Sequence, residues 1–333
     1  MPYLRMAGDR VGKQAALSKP SRRASLRPRL FRMDIHPRAP DNRPPPGDRE
    51  DPVKLGYFHN GHFPPIEFET FVRWGAANGY QAIDVPLFEP NVRSICSRHG
   101  LQPTSTVGLA CQPIATDPTQ RAEEVAQARR ALDYAAAEHI PNVWLGHEMA
   151  PDLGFDENVR LFAEGVAPVL DHADRVGVRL VMENWANGGR NLAYAPAHWA
   201  AIFDAVPHPA LGLCPDPSHL VWLGIDYLRA VRDFGSRVYH AHAKDTEFLP
   251  ETLYQYGVIG TERGRIGQGT YRFRIPGFGV VDWPAYITAL LEVGYNGALV
   301  VEHEDAFWSS QTDAEHALNG LVLAQRFLSP LLV

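Results

Sequence analysis

The stretch Val238-Tyr239-His240-Ala241-His242-Ala243-Lys244-Asp245 decides how this chain is read. It is an apolar run of strand character, broken by two histidines at alternate positions that share one face, and it ends on a lysine and an aspartate. Ionisable groups are costly in an apolar strand unless they are paired or bind a metal, so chemistry is expected at the end of this one. Three other runs follow the same design: Val181-Met182-Glu183-Asn184, Cys214-Pro215-Asp216-Pro217-Ser218-His219 and Val300-Val301-Glu302-His303-Glu304-Asp305.

Working outward, eight short apolar runs read as strands: 55–59, 82–86, 104–108, 142–146, 179–184, 211–215, 238–244 and 298–303. Segments of helical period lie between them at about 65–78, 90–99, 119–139, 156–176, 196–205, 226–234, 282–293 and 313–328, several opening on a capping residue such as Asp117, Asp156 or Asp282. Eight alternating pairs predict an α/β chain folded as a (β/α)8 TIM barrel, a single domain over 53–333. An open doubly wound sheet would carry a Gly-rich phosphate fingerprint after an early strand, and the sequence has none. In a barrel the four charged strand ends fall together on the catalytic face. The connection from 246 to 281 is far longer than a usual strand-to-helix loop and is expected to cover that face.

Residues 1–52 are dense in Arg and Pro, end in Arg43-Pro44-Pro45-Pro46 and show no sustained apolar period, which predicts a disordered tail, with Met33 an alternative start. The first 50 residues hold 12 Lys/Arg against 5 Asp/Glu, which leaves 20 against 33 for the rest of a chain of net charge −6. An acidic body lacks the basic footprint that nucleic acid or an anionic membrane requires. Cys96, Cys111 and Cys214 are odd in number and widely spaced, which suggests neither a disulfide framework nor a zinc knuckle. No run approaches the roughly 18 apolar residues of a membrane span. Ser21-Arg22-Arg23 lacks the apolar stretch of a twin-arginine signal, so a cytoplasmic location is expected.

Two Glu, one Asp and one His offer three hard oxygens and a borderline nitrogen, a donor set suited to Mn2+, the first choice, and also to Co2+, Mg2+ or Zn2+. Taken singly, each is better explained by a capped loop or a histidine satisfied by a backbone carbonyl; four in consecutive units favour a metal site.

The Glu-Asn after strand five, Asp-Pro-Ser-His after strand six, His-Ala-Lys-Asp on strand seven and Glu-His-Glu-Asp on strand eight resemble the xylose isomerase-like barrel superfamily, in particular its sugar phosphate isomerase/epimerase branch, over roughly residues 54–330. The resemblance implies one divalent metal held by Glu183, Asp216, His242 and Glu302, with Glu183 and Glu302 also serving as the acid/base pair, as in ketose 3-epimerases. It further implies that His219 contacts substrate. The chemistry agrees, since a divalent ion chelated by a carbonyl and its neighbouring hydroxyl stabilises the enediolate left when the α-proton departs.

Around this centre, His147 at the end of strand four is an acid/base candidate, or else an ordinary loop histidine. Lys244 is a second catalytic candidate, placed to add positive charge near the enolate oxygen, or a structural partner of Asp245. His240, one layer deeper than His242, reads as a packed neighbour. His59, Asn60 and His62 are expected to line the pocket, and Trp185 and Trp222 either wall a sugar ring or, as is commoner for Trp, belong to the plain core. Arg272 could meet a substrate phosphate or pair with the acidic surface, and Arg274 shares its face.

The expected activity is thus a divalent-metal-dependent sugar isomerase or epimerase acting on a keto-sugar, with a small-molecule sugar as partner and a homo-oligomer as assembly. Two rivals share the barrel. The same motifs resemble catalytic subunits of C-glycoside deglycosidases, which act as 3-oxo-glycoside lyases by elimination, work with a small partner subunit and would lean on His147. An endonuclease IV-like nuclease would need further His ligands on strands two and three, where this chain has Asp84 and Thr106-Val107-Gly108.

Overall fold

A computed structural model describes residues 53–108, 111–258 and 269–332; the expected tail over 1–52 lies outside the described residues. In chain order the elements are β1 (Lys54–Tyr57), α1 (Phe68–Ala77), β2 (Ala82–Pro86), α2 (Val92–His99), β3 (Gln102–Val107), α3 (Pro118–Ala137), β4 (Asn142–Trp144), α4 (Phe155–Val176), β5 (Arg179–Glu183), α5 (Pro196–Ala205) and β6 (Leu211–Cys214). There follow α6 (Pro217–Trp222), α7 (Tyr227–Phe234), β7 (Ala241–Ala243), β8 (Asp245–Phe248), α8 (Pro250–Tyr256), β9 (Tyr271–Arg274), α9 (Trp283–Glu292), β10 (Ala298–Val301) and α10 (Ala314–Leu328).

Eight of these strands form one parallel sheet in the order β6-β5-β4-β3-β2-β1-β10-β7. The remaining seam, between β6 and β7, is bridged by parallel pairing of Leu213 with Val238 and by the amides of Tyr239 and His240, which donate to the Leu213 carbonyl at 3.1 and 3.3 Å. The (β/α)8 barrel expected from the alternating pattern is therefore the fold.

Strand alternation divides the apolar residues. Leu55, Tyr57, Leu299 and Val301 join the large core shared with the helices, whereas Phe58, Ala82, Ala298 and Val300 form a small separate cluster on the inner face of the barrel. Helix starts follow the sequence signals: Asp117, Asp226, Asp282 and Asp313 each cap a helix by accepting a backbone N–H. Asp156 differs. It lies in the first turn of α4, behind Gly154 at the cap, where its charge favours the positive end of the helix.

The long connection is an arm rather than a structureless loop. Strands β8 and β9 pair antiparallel, from Asp245 with Arg274 to Phe248 with Tyr271, and α8 lies between them. The arm is tied down at Asp245 and at Thr246, whose Oγ1 donates to the Ser218 carbonyl at 2.9 Å. The chain passes so close to Asp245 at Gly279 that a Cβ there would lie 2.2 Å from Oδ1. Only glycine fits.

Candidate metal centre

Four strands deliver the charged cluster. Glu183 is the last residue of β5, Asp216 follows β6 and caps α6, His242 is central in β7, and Glu302 follows β10. Asn184 fixes the Asp216 backbone from the neighbouring strand: its Nδ2 donates to the Asp216 carbonyl at 2.9 Å and its Oδ1 accepts the Asp216 amide at 2.7 Å. The result is that Glu183, Asp216, His242 and Glu302 each present one donor atom within 4.8 Å of all the others, and all four are buried. His242 Nδ1 is 2.8 Å from Glu183 Oε1 and 3.5 Å from Glu302 Oε2. One oxygen of Asp216 accepts the Ser218 amide, while Oδ2 has no hydrogen-bond partner, with Lys244 Nζ 3.3 Å away.

This arrangement fits a divalent cation. Donors about 2.0–2.2 Å from a central ion lie up to about 4.4 Å apart, close to the observed spread. Three carboxylates buried together repel one another, and an unpartnered buried oxygen is expensive. The electrostatics report the same shortage of positive charge. Burial and the neighbouring Glu302 push the Glu183 carboxyl up to about 7, and burial pushes Asp216 up to about 6 despite Lys244. Glu302 goes the other way: burial opposes its ionisation, but Lys244 and His242 outweigh that and hold it well below the ordinary carboxylate range.

Lys244 is 1% exposed. Its Nζ donates to Glu302 Oε2 at 2.7 Å, lies 3.2 Å from Glu304, and sits over the Phe273 ring. Pairing with Asp245, the structural alternative, does not occur: Asp245 spends its oxygens on the arm. Glu304 was not singled out from the sequence, although it belongs to the same Glu-His-Glu-Asp run.

His219 is buried beside the cluster, with Nε2 3.8 Å from Asp216 Oδ2 and Nδ1 without a partner. Burial and Lys244 keep it neutral. His147 is placed differently from the acid/base role considered for it. Its Nε2 donates to the Glu183 carbonyl at 2.8 Å and its Nδ1 accepts the Ala193 amide at 3.3 Å, so backbone groups occupy both nitrogens. Burial lowers it to about 4. It holds the end of β5 in place.

The remaining candidates spread out. His59 gives Nε2 to the Pro64 carbonyl and packs against Phe63 and Phe71. Asn60 donates to the His303 carbonyl, and His62 faces Glu304 at 3.7 Å. Trp185 is 49% exposed. Trp222 stacks on Tyr271 of the arm, centroids 4.7 Å apart. Arg272 forms a two-pronged pair with Glu247 at 2.7 and 2.8 Å and covers Phe307, while Arg274 bridges Glu247 and Asp305. Both arginines are satisfied within the protein, which disfavours the phosphate contact.

One further residue escaped the sequence reading as a participant. Asp84, in β2, accepts His240 Nε2 at 2.7 Å and lies 3.4 Å from His242 Nε2. The signal was present, since Ala82-Ile83-Asp84-Val85 is another apolar strand interrupted by a charge.

A family model described as the xylose isomerase-like TIM barrel matches residues 70–323, and the chain belongs to that family. YfiH of Bacillus subtilis (strain 168), an uncharacterized protein, is 28% identical over 153 residues, which cover 45% of this chain and 48% of that one; the match thus spans about half of its length. Among solved structures, D-psicose 3-epimerase from Clostridium cellulolyticum H10, with D-tagatose, superposes at a TM-score of 0.65 with 16% identity, covering 84% of this chain and 99% of that one. The 3-keto-D-glucoside 4-epimerase YcjR of E. coli gives 0.63 and 16% over 82% and 99%. At such identities the likeness is one of fold. No helix among the described residues is long and apolar enough to cross a membrane.

Proposed function

We propose that this chain is a divalent-metal-dependent isomerase or epimerase of a keto-sugar, with Glu183, Asp216, His242 and Glu302 holding the ion. A divalent cation there would supply Lewis-acid polarisation of a carbonyl and its adjacent hydroxyl, acidifying the C–H of the hydroxyl-bearing α-carbon. The observation that carries the reading is the asymmetry of the two glutamates. Both flank His242, but only Glu302 is bonded to Lys244. Glu183 and Glu302 are the acid/base pair on the two sides of His242, and Lys244 sets them apart by its bond to Glu302 alone. Lys244 stays protonated between Glu302, Asp216 and Glu304, and His219 orients a substrate hydroxyl. The fold neighbours named as sugar epimerases support the same class.

Elimination from a 3-oxo-glycoside would lean on His147, and His147 has no nitrogen to spare. The discriminating experiment is solvent deuterium incorporation with Mn2+-loaded protein across free ketoses, sugar phosphates and 3-oxo-glycosides. Exchange at the α-carbon with a new epimer or isomer is expected. Release of an aglycone, or no exchange on any keto-sugar, defeats the proposal.

A further inference from the structure

The barrel interior beneath the centre holds a polar assembly that the proposed chemistry has not used. Asp84 is 2% exposed and belongs to β2; β1 and β10 separate β2 from β7 in the sheet, so its contacts with His240 and His242 cross the barrel. The register between β2 and β3 jumps at this point, from Ile83 opposite Pro103 to Asp84 opposite Ser105. The extra residue, Thr104, donates its hydroxyl to Asp84 Oδ1 at 2.7 Å. Asp84 Oδ2 is left for the histidines, 2.7 Å from His240 Nε2 and 3.4 Å from His242 Nε2. The His242 ring is held between the rings of Phe58 and Trp144, with centroids 5.4 and 5.3 Å away.

A histidine that binds a metal through one nitrogen must carry its proton on the other, and that N–H needs an acceptor. His242 directs Nδ1 to the carboxylates of the centre, so the acceptor must face Nε2. Among the described residues no hydrogen bond satisfies Nε2, and Asp84 Oδ2 is the carboxylate within reach. Cys214, the other neighbour, is a buried neutral thiol and a weak acceptor.

We infer that Asp84 is a positioning residue of the centre: it accepts the His242 Nε2–H and thereby presents the Nδ1 lone pair to the cation. His240 and Thr104 hold the carboxylate in place. The inference rests on the metal reading above and reaches one step deeper. It extends by one member, on β2, a centre otherwise built entirely from β5, β6, β7 and β10.

The test uses the full-length chain and Zn2+ as probe, with affinity measured by chelator competition in the absence of any substrate. Asp84→Asn is expected to weaken binding by roughly 10–100-fold at one ion per chain, and Cys214→Ala to leave it unchanged. Should Asp84→Asn fail to fold, nitrogen-15 NMR of the zinc-loaded wild type answers the same question: the His242 proton is expected on Nε2, with Nδ1 shifted by the metal. Unchanged affinity in Asp84→Asn, a proton on Nδ1, or a second zinc ion lost in Cys214→Ala overturns the inference while leaving the first site standing. Absence of zinc binding by the wild type overturns the metal reading itself, and this inference with it.

Discussion

Two groups of buried acids occupy adjoining residues of the same motifs. Glu183, Asp216 and Glu302 crowd around His242 and Lys244, and one Asp216 oxygen has no hydrogen bond at all. One or a few residues on, Asp245 and Asp305 are just as buried, yet every oxygen is used. Asp245 accepts from the Thr246, Gly277 and Val281 amides and from Trp283 Nε1; Asp305 accepts from Arg274, Ile275 and Phe307. The second group anchors the arm. The first leaves an oxygen unpartnered, which a cation held by the proposed centre would meet. Burial of an acid is thus uninformative about its role, and satisfaction of its oxygens is informative.

That contrast can be broken by substitution. The largest effect is expected for Glu302→Gln and Glu183→Gln, which should each lower kcat by about 10²–10⁴-fold while far-UV circular dichroism stays native. A variant that keeps its turnover removes the pair from the chemistry. Asp245→Ala should do the reverse, because it strands the buried amides of Thr246 and Val281, the Gly277 amide and an indole N–H: a loss of about 3–5 kcal/mol in urea unfolding at unchanged slope. If it unfolds like the wild type, the arm is not anchored as described.

A smaller effect distinguishes the groups by pH. Glu183 has a folded pKa near 7 against an ordinary value of 4.5, so the folded state binds its proton more tightly. Its contribution is fully present below pH 4.5 and is lost as pH rises through 7. Metal-free Glu183→Gln should therefore match the wild type near pH 4.5 and exceed it at pH 8, on the order of 2 kcal/mol. Equal stability at both values means the carboxyl is not under the strain inferred. The same linkage makes added Mn2+ raise the wild-type melting temperature more at pH 8 than at pH 5. Smallest of all, Trp185→Ala should change stability by less than about 0.5 kcal/mol, and at most raise KM, since the ring is half exposed. A collapse in kcat would place it in the machinery.

Much of this was legible in the chain. Short apolar runs alternating with capped helical segments admit few folds, and a charge interrupting such a run is a local, readable cost. All eight barrel strands and the four charged strand ends follow from that. The arm was legible only as excess length, because the pairing of Thr246 with Phe273 depends on residues 27 positions apart. Arg272 reads as a free cation until Glu247 is placed against it. His147 carries the right group for acid/base work, and only the backbone of Ala193 and Glu183 shows both nitrogens taken.

The sequence by itself determined which side chains must arrive at the catalytic face: residues at strand ends in a parallel barrel converge wherever they lie in the chain, because every strand points the same way. Tertiary structure alone decided which charges meet. Lys244 chooses Glu302 over Asp245, the residue next to it, and Asp84 reaches His240 across 156 residues. Such pairings are set by the curvature and register of the closed sheet, and those are properties of all eight strands together, carried by no single stretch of sequence.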